Sequence, residues 1–270
     1  MQLAIDLKKS LQQNADLYYQ KSKKAKKKLA GLSKAIPLIE GKIAEAEEKN
    51  ALKAESREIT RKKKRQWFER FHWFRTSDGL LVVAGRDAGS NEALVKKHME
   101  DGDLYFHAEI FGAPHTILKT EKNSAPKKSL EEASVFAAVF SRAWKQKLAT
   151  ADVYSVMPEQ VSKKAPAGEA LGAGAFMIYG KRNWFRKTKL EFAIGAMKEN
   201  GEWKAISGPL SAVKKNSAFF FKVEQGQQSK GETAKQLRKL FEEKAGAKNV
   251  FELDEIISML PNGDLTVQME

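Results

Sequence analysis

Cysteine is absent from the 270-residue sequence, which excludes a disulfide scaffold, thiolate catalysis and cysteine-ligated zinc. Long apolar runs are absent too. The densest, residues 133–140, is short and reads as part of a helix, so no membrane span is expected. The N-terminus carries no secretory or transit pattern, and a cytoplasmic protein is the simplest expectation. Acidic residues are the scarcer charge, 34 Asp+Glu against 48 Lys+Arg, leaving a net charge of +14. A surplus of that size argues for a polyanionic partner. The length allows one or two domains and a substantial core.

The surplus is unevenly placed. Residues 1–70 hold 19 Lys+Arg against 9 Asp+Glu, so +10 of the +14 lies there. Lysine-rich helices are commonly just solvated faces, but two dense basic blocks, residues 21–28 and 61–65, favour contact with nucleic acid. Leu7, Leu11, Tyr18, Ala25, Leu29, Leu32, Ile36, Ile39, Ile43 and Ala46 recur at three- and four-residue steps, with Asn14 as a polar interruption. This is the spacing of a coiled-coil seam. A straight helix over residues 7–48 would span about 60 Å, but Pro37 must kink or end it. With a second helical stretch at residues 52–71, an antiparallel helical hairpin is expected. Its tip falls at residues 31–37 or 49–51.

Residues 67–119 form the centre of the chain. An aromatic cluster (Trp67, Phe68, Phe71, Trp73, Phe74) leads into a turn signal, Ser77-Asp78-Gly79, between two β-prone runs, which predicts a hairpin. The second run ends in Gly85-Arg86-Asp87-Ala88-Gly89-Ser90-Asn91, followed by a predicted helix over residues 92–99 that carries Lys96 and Lys97. A loop before a helix start suits an anion, and Arg86 would add a bidentate grip on phosphate. The loop lacks the third glycine and the lysine of a mononucleotide-binding loop, so a structural turn explains it equally simply. A second hairpin is expected over residues 103–119.

A polar linker at residues 120–128 precedes Ser129 and Glu132, which read as a capping box opening a helix to residue 149. A strand is expected at residues 152–157, a basic loop with Lys163 and Lys164 at residues 162–168, and a strand at residues 175–180. Then comes Lys181-Arg182-Asn183-Trp184-Phe185-Arg186-Lys187. Cations interleaved with aromatics suit unpaired RNA, holding phosphates while ring and guanidinium planes stack on bases. Alternatively, Trp184 and Phe185 simply face inward from a strand. Glu199-Asn200-Gly201 is the strongest short hairpin signal, joining strands at residues 189–197 and 202–206. A strand at residues 218–223, a linker at 225–231, helices at 232–244 and 253–260 and a strand at 265–267 complete the chain.

A catalytic constellation is not evident. The four histidines are His72, His98, His107 and His115. His107, Glu109 and His115 share a predicted hairpin but lack a fixed ligand spacing. No serine-elbow pattern occurs. The acidic residues at 101, 103, 131 and 132 have structural explanations in turns or caps. No enzyme and no cofactor are expected.

Residues 67–109, continuing through Phe111-Gly-Ala-Pro-His-Thr, the helix opening at Ser129, and Gly174-Ala-Phe-Met-Ile-Tyr-Gly-Lys-Arg-Asn-Trp184, closely resemble the RNA-binding domain of the NFACT family, NFACT-R. The stretch from Asn14 to Leu29 resembles that family's coiled coil, and the tail is similar to the extension of archaeal-type members. The resemblance covers about residues 10–225. It implies a role in ribosome-associated quality control: a module contacting rRNA and tRNA on the large ribosomal subunit, with ribosomal proteins as further partners. In the full-length architecture it would support template-free tailing of the stalled chain. The family's N-terminal domain, whose Asp-Arg pair reads the tRNA anticodon, does not precede the coiled coil in this sequence. A fragment of a longer protein, or a stand-alone binder unable to select tRNA that way, is therefore expected.

The expected fold class is α+β: a basic helical hairpin (residues 1–66), a mixed β-sheet RNA-binding domain with packed helices (67–225) and a small helical extension (226–270). The residues expected to meet RNA are Arg86, Asn91, Lys96 and Lys97 after the first hairpin, and Lys163 and Lys164 in the basic loop. Lys181, Arg182, Trp184, Arg186 and Lys187 follow, with Lys26, Lys27 and Lys28 on the helical arm. The competing readings are a metal-dependent hydrolase centred on Asp87, His107, Glu109 and His115, or a DNA-binding or protein-docking scaffold.

Overall fold

The computed structural model describes residues 4–6, 8, 10–57, 66–120, 123–164 and 171–268. Two units divide the chain, Met1–Arg65 and Gln66–Glu270. In the first, one helix, α1 (Leu11–Arg57), runs with Pro37 inside it. Ser10 and Gln13 open it as a capping box: the Gln13 amide donates to Ser10 Oγ at 3.2 Å and the Ser10 amide to Gln13 Oε1 at 2.9 Å. Asn14, the interruption in the seam, is buried and holds the preceding segment through two hydrogen bonds of 3.0 Å with the backbone of Asp6. The expected hairpin is not what α1 forms, since the helix passes through both candidate tips. Proline removes one amide donor, and the lysines, alanines, leucines and glutamates around it favour continuation. Residues 58–65, with the whole of the second basic block, lie outside the described residues.

The second unit begins with a 3-10 turn, Trp67–Arg70, and the strands β1 (His72–Arg75) and β2 (Leu81–Ala84). Gly79 closes the turn between them at φ +86°, where a side chain would be strained. Next come α2 (Ala88–His98), β3 (Leu104–Ala108), β4 (Thr116–Leu118), α3 (Lys127–Val139), α4 (Arg142–Lys145) and β5 (Thr150–Val156). A two-stranded ribbon of β6 (Val161–Ser162) and β7 (Met177–Ile178) precedes β8 (Asn183–Lys189). These strands, apart from the ribbon, form an antiparallel six-stranded sheet ordered β1-β2-β4-β3-β5-β8. Period-two alternation covers both of its faces. Phe74, Val82, Ala84, Phe106, Leu118 and Val153 pack under Phe136 and its neighbours on α3. Their alternates, Val83 and Ile117, meet Phe68, Phe71 and Leu94 of α2 on the other face, where Tyr105 and Tyr154 meet Val95.

A second antiparallel sheet follows from β9 (Phe192–Glu199), β10 (Glu202–Pro209), β11 (Phe219–Gln228) and β12 (Leu265–Gln268), in the order β10-β9-β11-β12. Asn200 and Gly201, at φ +51° and +83°, make the two-residue turn that the Asn-Gly signal predicts. Helices α5 (Leu210–Asn216), α6 (Lys230–Ala245) and α7 (Leu253–Met259) complete the unit. Residues 226–268 share one core with this sheet: Leu237, Phe241, Ile256 and Leu260 pack on Phe192, Ile194 and Val223, joined by Trp144. The predicted linker at 225–231 is instead largely strand, because β11 extends to Gln228 to pair with β12.

Two helix starts differ from expectation. Helix α2 begins at Ala88, not at residue 92, because Asp87 caps it. Asp87 Oδ1 accepts from the Ser90 amide at 2.7 Å, and Ser90 Oγ accepts from the Asp87 amide at 2.8 Å. Helix α3 opens at Lys127, and Ser129 and Glu132 are buried instead of capping it. Ser129 Oγ donates to Asp78 Oδ2 at 2.7 Å, while Glu132 accepts from the Ser77 amide at 2.7 Å.

Candidate nucleic-acid interface

β8 is an outer strand of the six-stranded sheet. Alternation sends Phe185 into the core beside Phe106, at 5.7 Å between ring centres, and brings Arg182, Trp184 and Arg186 to the opposite face. Pairing with β5 sets Trp184 across from Tyr154, their rings edge-on at 5.3 Å. The guanidinium of Arg186 lies 3.7 Å from the centre of the Trp184 ring, and that of Arg182 lies 4.5 Å from Tyr154 and 5.8 Å from Trp184. The result is an alternating row of cations and ring planes. Asp152 sits behind it: Oδ2 accepts from Arg186 Nη1 at 2.7 Å and Oδ1 from the Lys187 amide at 2.8 Å. These contacts, the Lys187 amide first, hold its carboxyl below the usual range. Arg182 pairs with Glu109 at 3.7 Å. Lys181, Asn183, Lys187 and Lys189 are exposed along the same strand and its approach.

The other predicted contacts fall into different places. Lys163 is turned inward, donating to the carbonyls of Gly172 and Ala175 at 3.0 and 3.1 Å and to Glu92 Oε2 at 3.3 Å. Glu92 also takes Lys96 at 2.6 Å and the Gly174 amide at 3.0 Å. Lys96, then Gly174 and Lys163, hold its carboxyl down at about 2. Asn91 Oδ1 accepts from the His115 amide at 3.0 Å, beside Gly85. Arg86 points away from the start of α2, donating to the Phe71 carbonyl at 3.0 Å. Lys97 and Lys164 are exposed, as are Lys26, Lys27 and Lys28 on α1 of the other unit.

Residues 70–180 match the NFACT protein RNA binding domain. Over 202 residues, the chain is 36% identical to the archaeal Rqc2 homolog aRqcH of Methanocaldococcus jannaschii, covering 75% of this chain and 29% of that protein. The chain belongs to the NFACT family. Its likeness extends to the ribosome quality control complex subunit NEMF homolog of Drosophila melanogaster, 39% identical over 201 residues, covering 72% of this chain and 20% of that one. Human ribosome quality control complex subunit NEMF is 37% identical over 178 residues, covering 63% and 16%. The chain thus spans less than a third of these NFACT relatives. The RNA-binding-domain match stops at residue 180, just short of Arg182.

Within this NFACT chain, the residues proposed for a hydrolase do other work. Asp87 caps α2. His107 and His115 lie with ring centres 5.3 Å apart, and burial lowers both imidazoles to about 4. His115 Nε2 donates to the Gly174 carbonyl at 2.7 Å, leaving Nδ1 to accept the Tyr105 hydroxyl. Glu109 is given to Arg182. Among the described residues, no three His, Asp or Glu side chains are grouped to hold a metal ion. No helix among them is long and apolar enough to cross a membrane. Sequence reasoning missed Tyr154, Asp152 and Gln160, the last of which donates to the Tyr179 and Lys181 carbonyls at 2.7 and 3.0 Å and so sets the approach to β8. None lies near its partner in sequence, so local pattern carried no signal for them.

Proposed function

We propose that this chain is a non-enzymatic RNA-binding module acting in ribosome-associated quality control in the cytoplasm, where it contacts rRNA of the large ribosomal subunit and tRNA. The observation that carries this reading is the row of Arg182, Trp184 and Arg186 on one face of an outer strand, flanked by exposed lysines. The ion pairs of Arg182 and Arg186 do not remove them from use. Exposed pairs contribute about 0–1 kcal/mol, whereas stacking of one base contributes about 1–3 kcal/mol. A phosphate can therefore displace Glu109 or Asp152, and the guanidinium plane on Trp184 offers a further stacking surface. Lys26, Lys27 and Lys28 on α1, with Lys97 and Lys164, add phosphate contacts. Lys163 holds the loop at residues 171–175 through the Gly172 and Ala175 carbonyls, while Lys96 pairs with Glu92 and Asn91 with the His115 amide. Support for the cellular setting comes from the names of the relatives, and template-free tailing belongs to the longer architecture.

RNA binding measured across a salt series tests this reading. Affinity is expected to fall steeply with salt, and replacing Arg182 and Arg186 together by Glu should reduce the log–log slope by about 1.4, at about 0.7 per phosphate contact on a single strand. A flat salt dependence, or a double variant that binds like the parent, would remove β8 from the interface. Co-sedimentation with purified large subunits, with and without trapped peptidyl-tRNA, tests the setting.

A further inference from the structure

Arg86 and Lys230 stand 144 positions apart in the sequence, yet line one cleft of about 410 Å³. Arg86 reaches it from the loop after β2, and Lys230 from the first turn of α6. Among the described residues, each side chain has one modest polar partner: the Phe71 carbonyl at 3.0 Å for Arg86, and Asn262 Oδ1 at 3.4 Å for Lys230. Neither forms an ion pair with a described residue. Two cations turned into one space without a paired carboxylate are costly unless something anionic joins them. The cost is visible in both groups. Burial, and then the field of Arg86, holds the Lys230 ammonium down at about 8, and burial lowers Arg86.

The other walls limit what fits. His72 lies beside Ser258 in the lining and stacks on Phe140 with ring centres 4.1 Å apart. Burial, then Arg86 and Lys230, holds its imidazole near 3, so it is neutral at physiological pH and adds no charge. Asp254 is the carboxylate in the lining, and Asn262 supplies an amide and Ile257 an apolar surface. A bare inorganic anion would leave most of this volume unused, since the cleft lies within the range of about 300–1,000 Å³ of small-molecule sites. An acceptor such as Asp254 suits a hydroxyl-bearing group attached to the anion.

We propose that this cleft binds a phosphate monoester, its dianion held between Arg86 and Lys230 and its hydroxyl-bearing ester group directed toward Asp254 and Asn262. A free 5′-mononucleotide and the 5′-phosphorylated end of an RNA share this chemistry. The site is separate from the β8 row and does not depend on the RNA reading of that strand.

Calorimetric titration of the full chain with adenosine 5′-monophosphate, inorganic phosphate and adenosine, at an ionic strength fixed with chloride, tests the proposal. The monophosphate should bind, inorganic phosphate should bind more weakly and adenosine should not bind. Lys230→Met should weaken binding about tenfold or more, the equivalent of one charged hydrogen bond, while Lys230→Arg should retain it. In the unaltered chain, affinity should fall as the pH is raised from about 8 to about 9.5, because Lys230 loses its proton while the phosphate stays a dianion. That measurement decides the matter even if Lys230→Met fails to fold. Preference for a 5′-phosphorylated over a 5′-hydroxyl oligoribonucleotide would identify an RNA end as the source, and equal binding a free nucleotide. Absence of binding by both phosphates, or undiminished binding by a folded Lys230→Met variant, would overturn the proposal and leave the cleft a solvent seam with Asp254 as counter-ion.

Discussion

Glu132 illustrates how a single charge is accommodated in this interior. Its carboxylate is buried, with the Ser77 amide and the Ser77 and Ser211 hydroxyls donating to it, so one side chain on α3 fixes the β1–β2 turn and the start of α5. Glu132→Ala would strand those donors and should cost about 2–4 kcal/mol in urea denaturation. A loss below about 0.5 kcal/mol would mean that the donors find water instead. The histidines give a second prediction at this scale. Burial holds His107 and His115 at about 4 and His72 at about 3, against an ordinary value of 6.5. Between those limits the unfolded chain binds protons that the folded one does not. Stability is therefore complete above pH 6.5 and lost as pH falls, at up to about 1.4 kcal/mol per pH unit for each histidine. Urea midpoints between about pH 7 and about pH 5, above the range where most carboxylates titrate, would show it. A flat profile would contradict neutral buried imidazoles.

Among the elements, α2 and the loop at residues 171–175 form one device. Gly174 lies at φ +73°, and a Cβ there would stand 2.6 Å from the Ala88 carbonyl oxygen and 2.8 Å from Ala88 Cα. Its amide donates to Glu92 and its carbonyl accepts from His115. Gly174→Ala should destabilise by about 1–3 kcal/mol, both through strain and by pushing the loop off α2. Chemical denaturation would measure the loss, with faster amide exchange at residues 171–175 as the local sign. Unchanged exchange would show that the loop does not depend on this contact. The loop was readable from the sequence as glycine-bearing and basic, and its contact with nucleic acid was the natural inference for Lys163. The folded chain spends that lysine on two carbonyls and Glu92, because the ribbon of β6 and β7 brings residues 163 and 172–175 against the start of α2.

For the whole molecule, the two units differ in what holds them. The second has continuous apolar clusters on both faces of one sheet and over another. In α1 the seam residues Leu29, Leu32, Ile36, Ile39 and Ile43 are 50–66% exposed. Where the described seam side chains of a helix are this exposed, it is held largely by propensity and local contacts. Hydrogen exchange should therefore show α1 amides protected far less than those of β3, β4 and β9. Equal protection would mean that the seam is covered in solution, by a second copy or by another segment.

How far the sequence alone reached follows from what local pattern encodes. Turn residues with special backbone demands placed Ser77-Asp78-Gly79 and Asn200-Gly201, because positive φ at Gly79, Asn200 and Gly201 is a local requirement. Residues 181–187 were legible as cations interleaved with aromatics, but local pattern left open whether Trp184 and Phe185 both face inward. It is β8 that sends Phe185 into the core and Trp184, with Arg182 and Arg186, to the other face. Composition alone, through the net charge of +14, pointed to a polyanionic partner. Only the fold decided which cations are spent internally and which remain exposed. Glu92 and Lys163 are 71 positions apart, Ser77 and Glu132 are 55, and the Arg86–Lys230 cleft spans the unit. Such pairings depend on sheet order and helix docking, and no window of neighbouring residues contains them.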